Sequence, residues 1–568
     1  MQKVSAQKLD LSTWRNFLSL AKPFFYSEKR GRAFFLIAML IGLSVSVTRL
    51  SVWMGDITGN YMNALSEKNS EQFYHYLLIF AVAVSCTVPV AVFYRYVEDQ
   101  FALLWRRWLT QHFLTRYFSH RSYYRINIEK TLDNPDQRIV DEIRTFTGTS
   151  ISFLLIVFNS SVNLIAWSAV LWRISSTLTY TSFTYSFVGS VMTMLIGKRL
   201  VALNFAQVKK EADFRYNLVQ IRDNSESIAM YRGEEKEATQ VKQRLRDVLR
   251  NLNLLIGWNR NLGFFIRGYD YFKSVIPVLI VAPLFFSSEV KFGTVATATI
   301  AFSWVLDALS LIVSQFERLS SFAATISRLH SLSEELDKGD RYCAWPRENP
   351  TWITIGSNPK LSLQKLTVMT PNRQRTLIKD LSFDLEEGKN LLVSGSSGVG
   401  KTSLFRAIAG LWTDGQGTIM RPDLEEVVFL PQTPYMVMGS FRQQLRYSIR
   451  GEEGNDEQLK EVLYKVKLSN LLARVGSFDD EYDWTHILSL GEQQRIAFAR
   501  LFLAKPRLSF LDEATTALGL DNEKELYDLL KDYGKSYVSI GHRPSLLAFH
   551  DYHLEILGEG AWKVTQLR

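Results

Sequence analysis

The chain has 568 residues, a net charge of +9, 47% hydrophobic and 13% aromatic residues, and a mean hydropathy of −0.04. Length alone predicts three or four soluble domains, but the long apolar runs all lie before about residue 340, so a membrane half diluted by a polar remainder fits better. The basic residues sit between those runs with no aromatic-interleaved basic patch, which argues against a nucleic-acid partner. Cys86 and Cys343 cannot build a disulfide framework, and the eight histidines show no metal-ligand spacing.

In chain order, residues 1–32 open without a cleavable signal peptide. Lys3, Lys8, Arg15 and Lys22, with Trp14, Phe17, Phe24 and Phe25, predict an amphipathic helix at a membrane surface, an ordinary surface helix being the other reading. A span needs about 20 mainly apolar residues. The first is expected from Ala33 to Met54 and the second from Tyr76 to Tyr94. Between Thr145 and Gly197 the only charge is Arg173, which predicts two spans joined by a very short turn. A fifth is expected at Phe264–Phe286 and a sixth at Thr294–Ser314.

Lysine and arginine in the connections set the orientation. The basic Lys29, Arg30 and Arg32 place the N-terminus in the cytoplasm, and the acidic link with Asp56, Glu67 and Glu71 faces outward. Segments 95–144 and 198–262 are rich in arginine and lysine and belong inside, so both termini are cytoplasmic. These inner links are too long for plain loops. Helical periodicity in Phe101, Leu104, Trp105, Trp108, Leu109 and Phe113 predicts helical extensions. Folded as two helices, about 47 residues reach roughly 35 Å below the bilayer. The fifth span must carry Arg267, Asp270 and Lys273 on one face, and Asp307 lies within the sixth. The span-five charges point to an inward cavity or to snorkelling at the cytoplasmic edge, and Asp307 to a cavity, an internal salt bridge or a misplaced span boundary. Pro277 and Pro283 are expected to bend the fifth helix.

After Arg347-Glu-Asn-Pro350 the pattern changes to short strands and glycine turns. The apolar strand Leu391-Leu-Val is followed by Gly395, Ser396, Ser397, Gly398, Val399, Gly400, Lys401, Thr402 and Ser403. This is the G-x-x-x-x-G-K-[ST] phosphate loop between a strand and a helix. Its backbone N–H groups converge on phosphates, Lys401 neutralises the β- and γ-phosphates, and the Thr402 hydroxyl holds Mg²⁺. ATP and Mg²⁺ are therefore the expected ligands. A second apolar strand ends at Asp512-Glu513, which places Asp512 toward Mg²⁺ and Glu513 as general base toward the attacking water.

Between these elements, Ser489-Leu490-Gly491-Glu492-Gln493-Gln494-Arg495 opens a helical run and resembles the ABC transporter signature. The resemblance implies that Ser489, Gly491, Glu492 and the helix N-terminus grip the γ-phosphate held by another subunit, so the ATP site is completed in a dimer. Gln432 matches the family's Q-loop, which implies Mg²⁺ sensing and contact with the membrane domain, and His542 matches its switch histidine. Three departures stand out. Leu490 occupies a position where most members have glycine, Val368, Met369 and Thr370 stand where an aromatic commonly stacks on adenine, and the acid Asp521 comes two positions late. That late acid, with Phe405–Trp412, Asn134–Ile139 and Glu226–Gly233, resembles the peroxisomal fatty-acyl half-transporters and their bacterial SbmA/BacA-type relatives.

The implied fold is multi-domain, an all-α six-helix transmembrane domain of the ABC exporter type followed by an α/β P-loop ATPase domain. The expected boundaries are 1–32 for the amphipathic segment, 33–335 for the membrane domain, 336–358 for a linker and 359–568 for the ATPase domain. The expected function is a homodimeric, ATP-hydrolysing transporter in a bacterial inner (plasma) membrane. Its expected solute is a bulky amphiphile such as cobalamin or a peptide. The alternative solute is fatty acyl-CoA or a fatty acid, and an ATP-gated channel or regulator ranks below both.

Overall fold

The computed structural model describes residues 11–129, 131–310, 315–344, 352–371, 373–447 and 455–568. Lys3, Lys8, the end of the sixth span at Ser314 and the Arg347–Pro350 stretch lie outside the described residues. The chain forms two compact units, Met1–Trp345 and Pro346–Arg568.

The first unit is helical, and six of its helices are long and apolar enough to cross a membrane. They are Arg30–Ser66, Ser70–Phe118, Ile143–Ile174, Ser176–Asp223, Glu234–Phe286 and Phe292–Leu309, called spans one to six below. The short turn expected at Arg173 falls at Ser175, whose side chain caps span four. Span two continues past its apolar stretch to Phe118, burying Phe101, Trp105, Leu109 and Phe113 at helical spacing. Spans four and five likewise extend beyond their apolar parts and are joined by a short helix at Ser225–Tyr231. Span five runs unbroken through Pro277 and Pro283.

The N-terminal helix Leu11–Phe25 buries Leu20, Ala21 and Phe24 while Trp14 and Leu18 stay exposed. The Phe24 ring stacks on Trp105 at 5.4 Å, tying this helix to span two. Helices in lipid gain little from apolar contact with one another, so small residues and polar bonds hold them together. Spans one and six meet at Gly59 and Gly293, where Gly293 N–H donates to Asn63 Oδ1 at 2.6 Å. Spans one to three share a polar ladder. Ser44 donates to Asn159, Asn159 donates to the Tyr94 hydroxyl at 2.8 Å, and Ser152 donates to the buried Glu98 at 3.0 Å. Lys273 of span five donates to Asp307 of span six at 2.6 Å, so the in-span acid has a partner while staying largely exposed.

The second unit contains two main sheets and a two-stranded ribbon of β7 (Gly439–Ser440) and β8 (Glu481–Tyr482). The smaller has the order β1 (Thr354–Ser357), β5 (Gly415–Arg421), β2 (Ser362–Met369), β3 (Thr376–Asp384). The larger has the order β12 (Ala561–Gln566), β11 (Tyr552–Gly558), β4 (Leu391–Gly395), β10 (Ser536–Ile540), β9 (Leu508–Asp512), β6 (Val427–Leu430). Strands β11, β4, β10, β9 and β6 run parallel. Buried both-face strands such as Leu391–Val393 and Leu508–Leu511 explain their continuous apolar sequence. Parts of the segment expected as a linker at 336–358 carry regular structure. The helix Phe316–Ala344 occupies its first part, and β1 pairs with β5 at Thr354 opposite Thr418. That pairing partner lies more than sixty residues away, beyond the reach of local pattern.

Candidate active site

In an open parallel sheet, ligands bind beyond the carboxyl ends of the strands. Four adjacent strands here deliver the sequence motifs to one edge. β4 leads into the glycine loop at 395–400, β10 into Gly541-His542, β9 into Asp512-Glu513, and β6 into Gln432. Gly395 and Gly400 have φ of +143° and +112°, and a Cβ on Gly395 would meet the Ile556 carbonyl oxygen at 2.4 Å. Only glycine therefore lets the loop turn this tightly. The helix Lys401–Ile408 starts directly after it, aiming its free N–H groups and positive end back at the loop.

Within the loop, Ser396, Ser397, Gly398 and Thr402 are exposed, Ser403 is half-buried, and the Val399 side chain packs into the core. Val399 thus offers a phosphate its backbone alone. Lys401 is only 6% exposed, and its Nζ donates to the Gly395 and Ser396 carbonyls at 2.9 and 2.8 Å. Burial pushes its ammonium below the ordinary lysine range, against the pull of Glu513 and Asp512.

Burial, and then the neighbouring Glu513 charge, push the Asp512 carboxyl above the ordinary range, while Arg406, Lys401 and the Thr402 hydroxyl pull it down. A dication beside Asp512 would relieve that penalty. The donor set suits Mg²⁺, which takes one or two protein oxygens and fills its octahedron with water and phosphate. Thr402 and Asp512 supply such oxygens. Among the described residues no group of three His, Cys, Asp or Glu forms a protein-only cage.

Glu513 sits at φ +49° just past β9, with its N–H donating to the Ile540 carbonyl at 3.1 Å. Gln432 Nε2 donates to its Oε2 at 2.7 Å, and His542 Nε2 lies 3.2 Å from its Oε1. Three residues far apart in sequence thus meet at one carboxylate.

The signature residues form a separate feature. Ser489 caps the helix Leu490–Ala504, accepting from Glu492 N–H at 3.3 Å, and Glu492 Oε2 accepts from Ser489 N–H at 2.9 Å. Glu492 Oε1 also pairs with Arg474 at 2.9 Å. An ionised carboxylate only accepts, so Glu492 shapes the cap here rather than offering a donor to phosphate, a difference from its expected ligand role. No hydrogen bond among the described residues joins Ser489 or Gly491 to the phosphate loop, Gln432, Glu513 or His542. Leu490 is exposed. Where an adenine-stacking aromatic is missing, Trp412 Nε1 donates to the Met369 carbonyl at 2.7 Å and fixes the strand end.

Two connectors escaped the sequence reading. Gln494, fully buried, donates to the Gln432 carbonyl at 3.4 Å and to Thr516 Oγ1 at 3.3 Å, and accepts from Ala517 N–H at 3.1 Å. Arg500 donates to the Tyr435 carbonyl at 2.8 Å and to Gln444 Oε1 at 3.0 Å, and burial pushes its guanidinium down to about 10. Both lie on the helix opened by the signature, which was the one local sign of their importance.

A phosphate loop, a paired acid and a signature helix in one unit, fused to six membrane-crossing helices, define an ATP-driven half-transporter. The family profile for the ABC transporter transmembrane region 2 matches residues 20–286, and the ABC transporter profile matches residues 378–516. An uncharacterized ABC transporter ATP-binding protein of Synechocystis sp. is 42% identical over 561 residues, covering 97% of this chain and 85% of the relative. ABC transporter D family member 2, chloroplastic, of Arabidopsis thaliana is 38% identical, with 96% and 86% covered. The human lysosomal cobalamin transporter ABCD4 is 29% identical, with 99% and 97% covered. The chain belongs to the ABC transporter family and is homologous to its D-family members. It is a multi-pass membrane ATPase that binds ATP and couples its hydrolysis to transport.

Proposed function

We propose that two copies of this chain sandwich two ATP molecules and use their hydrolysis to move a bulky amphiphilic solute across a bacterial inner membrane. The observation that carries the hydrolytic part is the meeting of Gln432 and His542 on Glu513, beside Lys401 and Asp512. In this reading residues 395–403 cradle the phosphates, and Lys401 exchanges its two loop carbonyls for phosphate oxygens. Thr402, Asp512 and Gln432 would hold Mg²⁺, which would supply positive charge against the phosphates. Glu513 accepts a proton from the attacking water, and Gln432 would exchange its bond to Glu513 for the ion. His542 orients the water and the γ-phosphate.

Among the described residues, Ser489 and Gly491 make no hydrogen bond to the phosphate loop of their own chain, which supports their serving the partner's ATP. The basic segments between spans two and three and between spans four and five support cytoplasmic termini. The long helices of spans two, four and five carry nucleotide-driven closure into alternating access.

Among solutes, cobalamin or a peptide ranks first, supported by the cobalamin transport for which the human relative is named and by the resemblance to the SbmA/BacA-type branch. One observation favours a fatty acyl solute instead. A cavity of about 780 Å³ within the first unit is walled mainly by apolar residues, including Trp14, Phe17, Leu154, Val157, Phe322 and Ile326. The test is uptake or efflux in proteoliposomes, screening cobalamin, peptides and acyl-CoA, with Glu513→Gln as control. The variant is expected to bind ATP, lose hydrolysis and move no solute. Unchanged turnover in Glu513→Gln would refute the base assignment.

A further inference from the structure

Between Glu513 and the helix Leu520–Asp532 the chain runs through residues 514–519 without regular structure. Its backbone is nevertheless tied down from one side chain. Arg543 Nη2 donates to the Thr516 carbonyl at 3.1 Å, and Nη1 donates to the Leu518 carbonyl at 3.1 Å. Nη1 also reaches Glu523 Oε2 at 3.0 Å. Glu523 is 2% exposed and accepts twice more, from Thr515 Oγ1 at 2.7 Å and Ser545 Oγ at 3.1 Å. Thr516 in turn donates to the Glu513 carbonyl through its N–H at 3.2 Å and its hydroxyl at 3.0 Å.

Arg543 directly follows His542, so a single buried carboxylate and one guanidinium join the histidine-bearing turn to the segment that leaves Glu513. A charge pair this fully bonded, its carboxylate buried and its guanidinium half-buried, gives geometric specificity, whatever its net effect on stability. The planar guanidinium donates in three directions at once, which an ammonium cannot reproduce at these angles.

We propose that Arg543 and Glu523 are positioning residues for ATP hydrolysis, a clamp that holds His542 and Glu513 in one register. The proposal rests on the assignment of Glu513 and His542 to the hydrolytic step. Neither clamp residue makes a hydrogen bond to residues 395–403, so nucleotide affinity and turnover should separate.

The experiment uses the full-length protein in proteoliposomes and measures kcat and KM for MgATP in Arg543→Gln, Arg543→Lys and Glu523→Gln/Arg543→Gln. Arg543→Gln is expected to lower kcat at least about tenfold, equivalent to about 1.4 kcal/mol in the barrier, with KM changed less than about twofold. Arg543→Lys, which keeps the charge and one donor direction, is expected to recover part of kcat. The double variant removes the unpaired buried charge, so it should melt near the parent yet stay slow. A double variant with parental kcat would mean that only charge burial mattered and would overturn the clamp. Parental kcat in Arg543→Gln, with Glu513→Gln inactive, would overturn the clamp alone. Parental turnover in Glu513→Gln would overturn the hydrolytic assignment beneath it.

Discussion

Gly293→Ala offers a sharp test of the crossing between spans one and six. An added Cβ would lie 1.8 Å from the Gly59 carbonyl oxygen and 2.8 Å from Asn63 Oδ1. The first contact is backbone against a rigid helix, so no side-chain rotation relieves it. Restoring an ordinary carbon–oxygen contact of about 3.3 Å requires the helices to part by about 1.5 Å. That movement stretches the 2.6 Å bond from Gly293 N–H to Asn63 and the 3.3 Å contact from the Thr297 hydroxyl to the Gly55 carbonyl.

Losing two hydrogen bonds costs about 0.5–1.5 kcal/mol each, and overpacking adds about 1–3 kcal/mol. Alanine's better helix propensity returns at most about 1 kcal/mol. The net destabilisation is about 1–5 kcal/mol, which at roughly 2–4 °C per kcal/mol lowers the melting midpoint by about 2–20 °C. The assay is thermal unfolding of detergent-solubilised, full-length protein at a fixed scan rate. Gly257→Ala is the control, since nothing lies within 4 Å of a Cβ there, and its midpoint should not fall. A Gly293→Ala midpoint within about 1 °C of the parent would refute the close approach of these helices.

Other consequences are as concrete. The ring of His550, bonded to the Leu546 carbonyl at 2.7 Å and to Ser539 Oγ at 3.0 Å, is pushed by burial from 6.5 down to about 4. Its folded value is depressed, so the stability it contributes is complete above about pH 6.5 and falls away toward pH 4. The loss is on the order of 3 kcal/mol, and His550→Asn should flatten that part of a stability profile measured between pH 7.5 and 4.5. In the membrane unit, Lys273→Met leaves Asp307 without its 2.6 Å partner. Transport and folded yield should drop in Lys273→Met and recover in Lys273→Met/Asp307→Asn; additive losses would show that the pair does not couple.

Local chemistry was legible wherever a motif acts through consecutive residues. The phosphate loop at 395–402, the acids after β9 and the cap at Ser489 each follow from short-range geometry, and the six apolar stretches follow from hydrophobic length alone. Asp307 illustrates the limit. Its presence in an apolar span flagged a function or a partner, but Lys273 as that partner depended on how spans five and six pack. Glu98 was likewise unremarkable until span three brought Ser152 against it.

The same division runs through the ATPase unit. Residue types and spacing determined that a nucleotide-binding loop and a candidate catalytic carboxylate exist. Their assembly was decided by strand order, because β4, β10, β9 and β6 become neighbours only through long-range pairing. Arg543, Glu523 and Gln494 carry no motif of their own in the chain. They matter because packing sets them between segments far apart in sequence, Glu523 and Gln494 buried and Arg543 half-buried, where an unbonded polar group would be costly and a bonded one holds both segments in place.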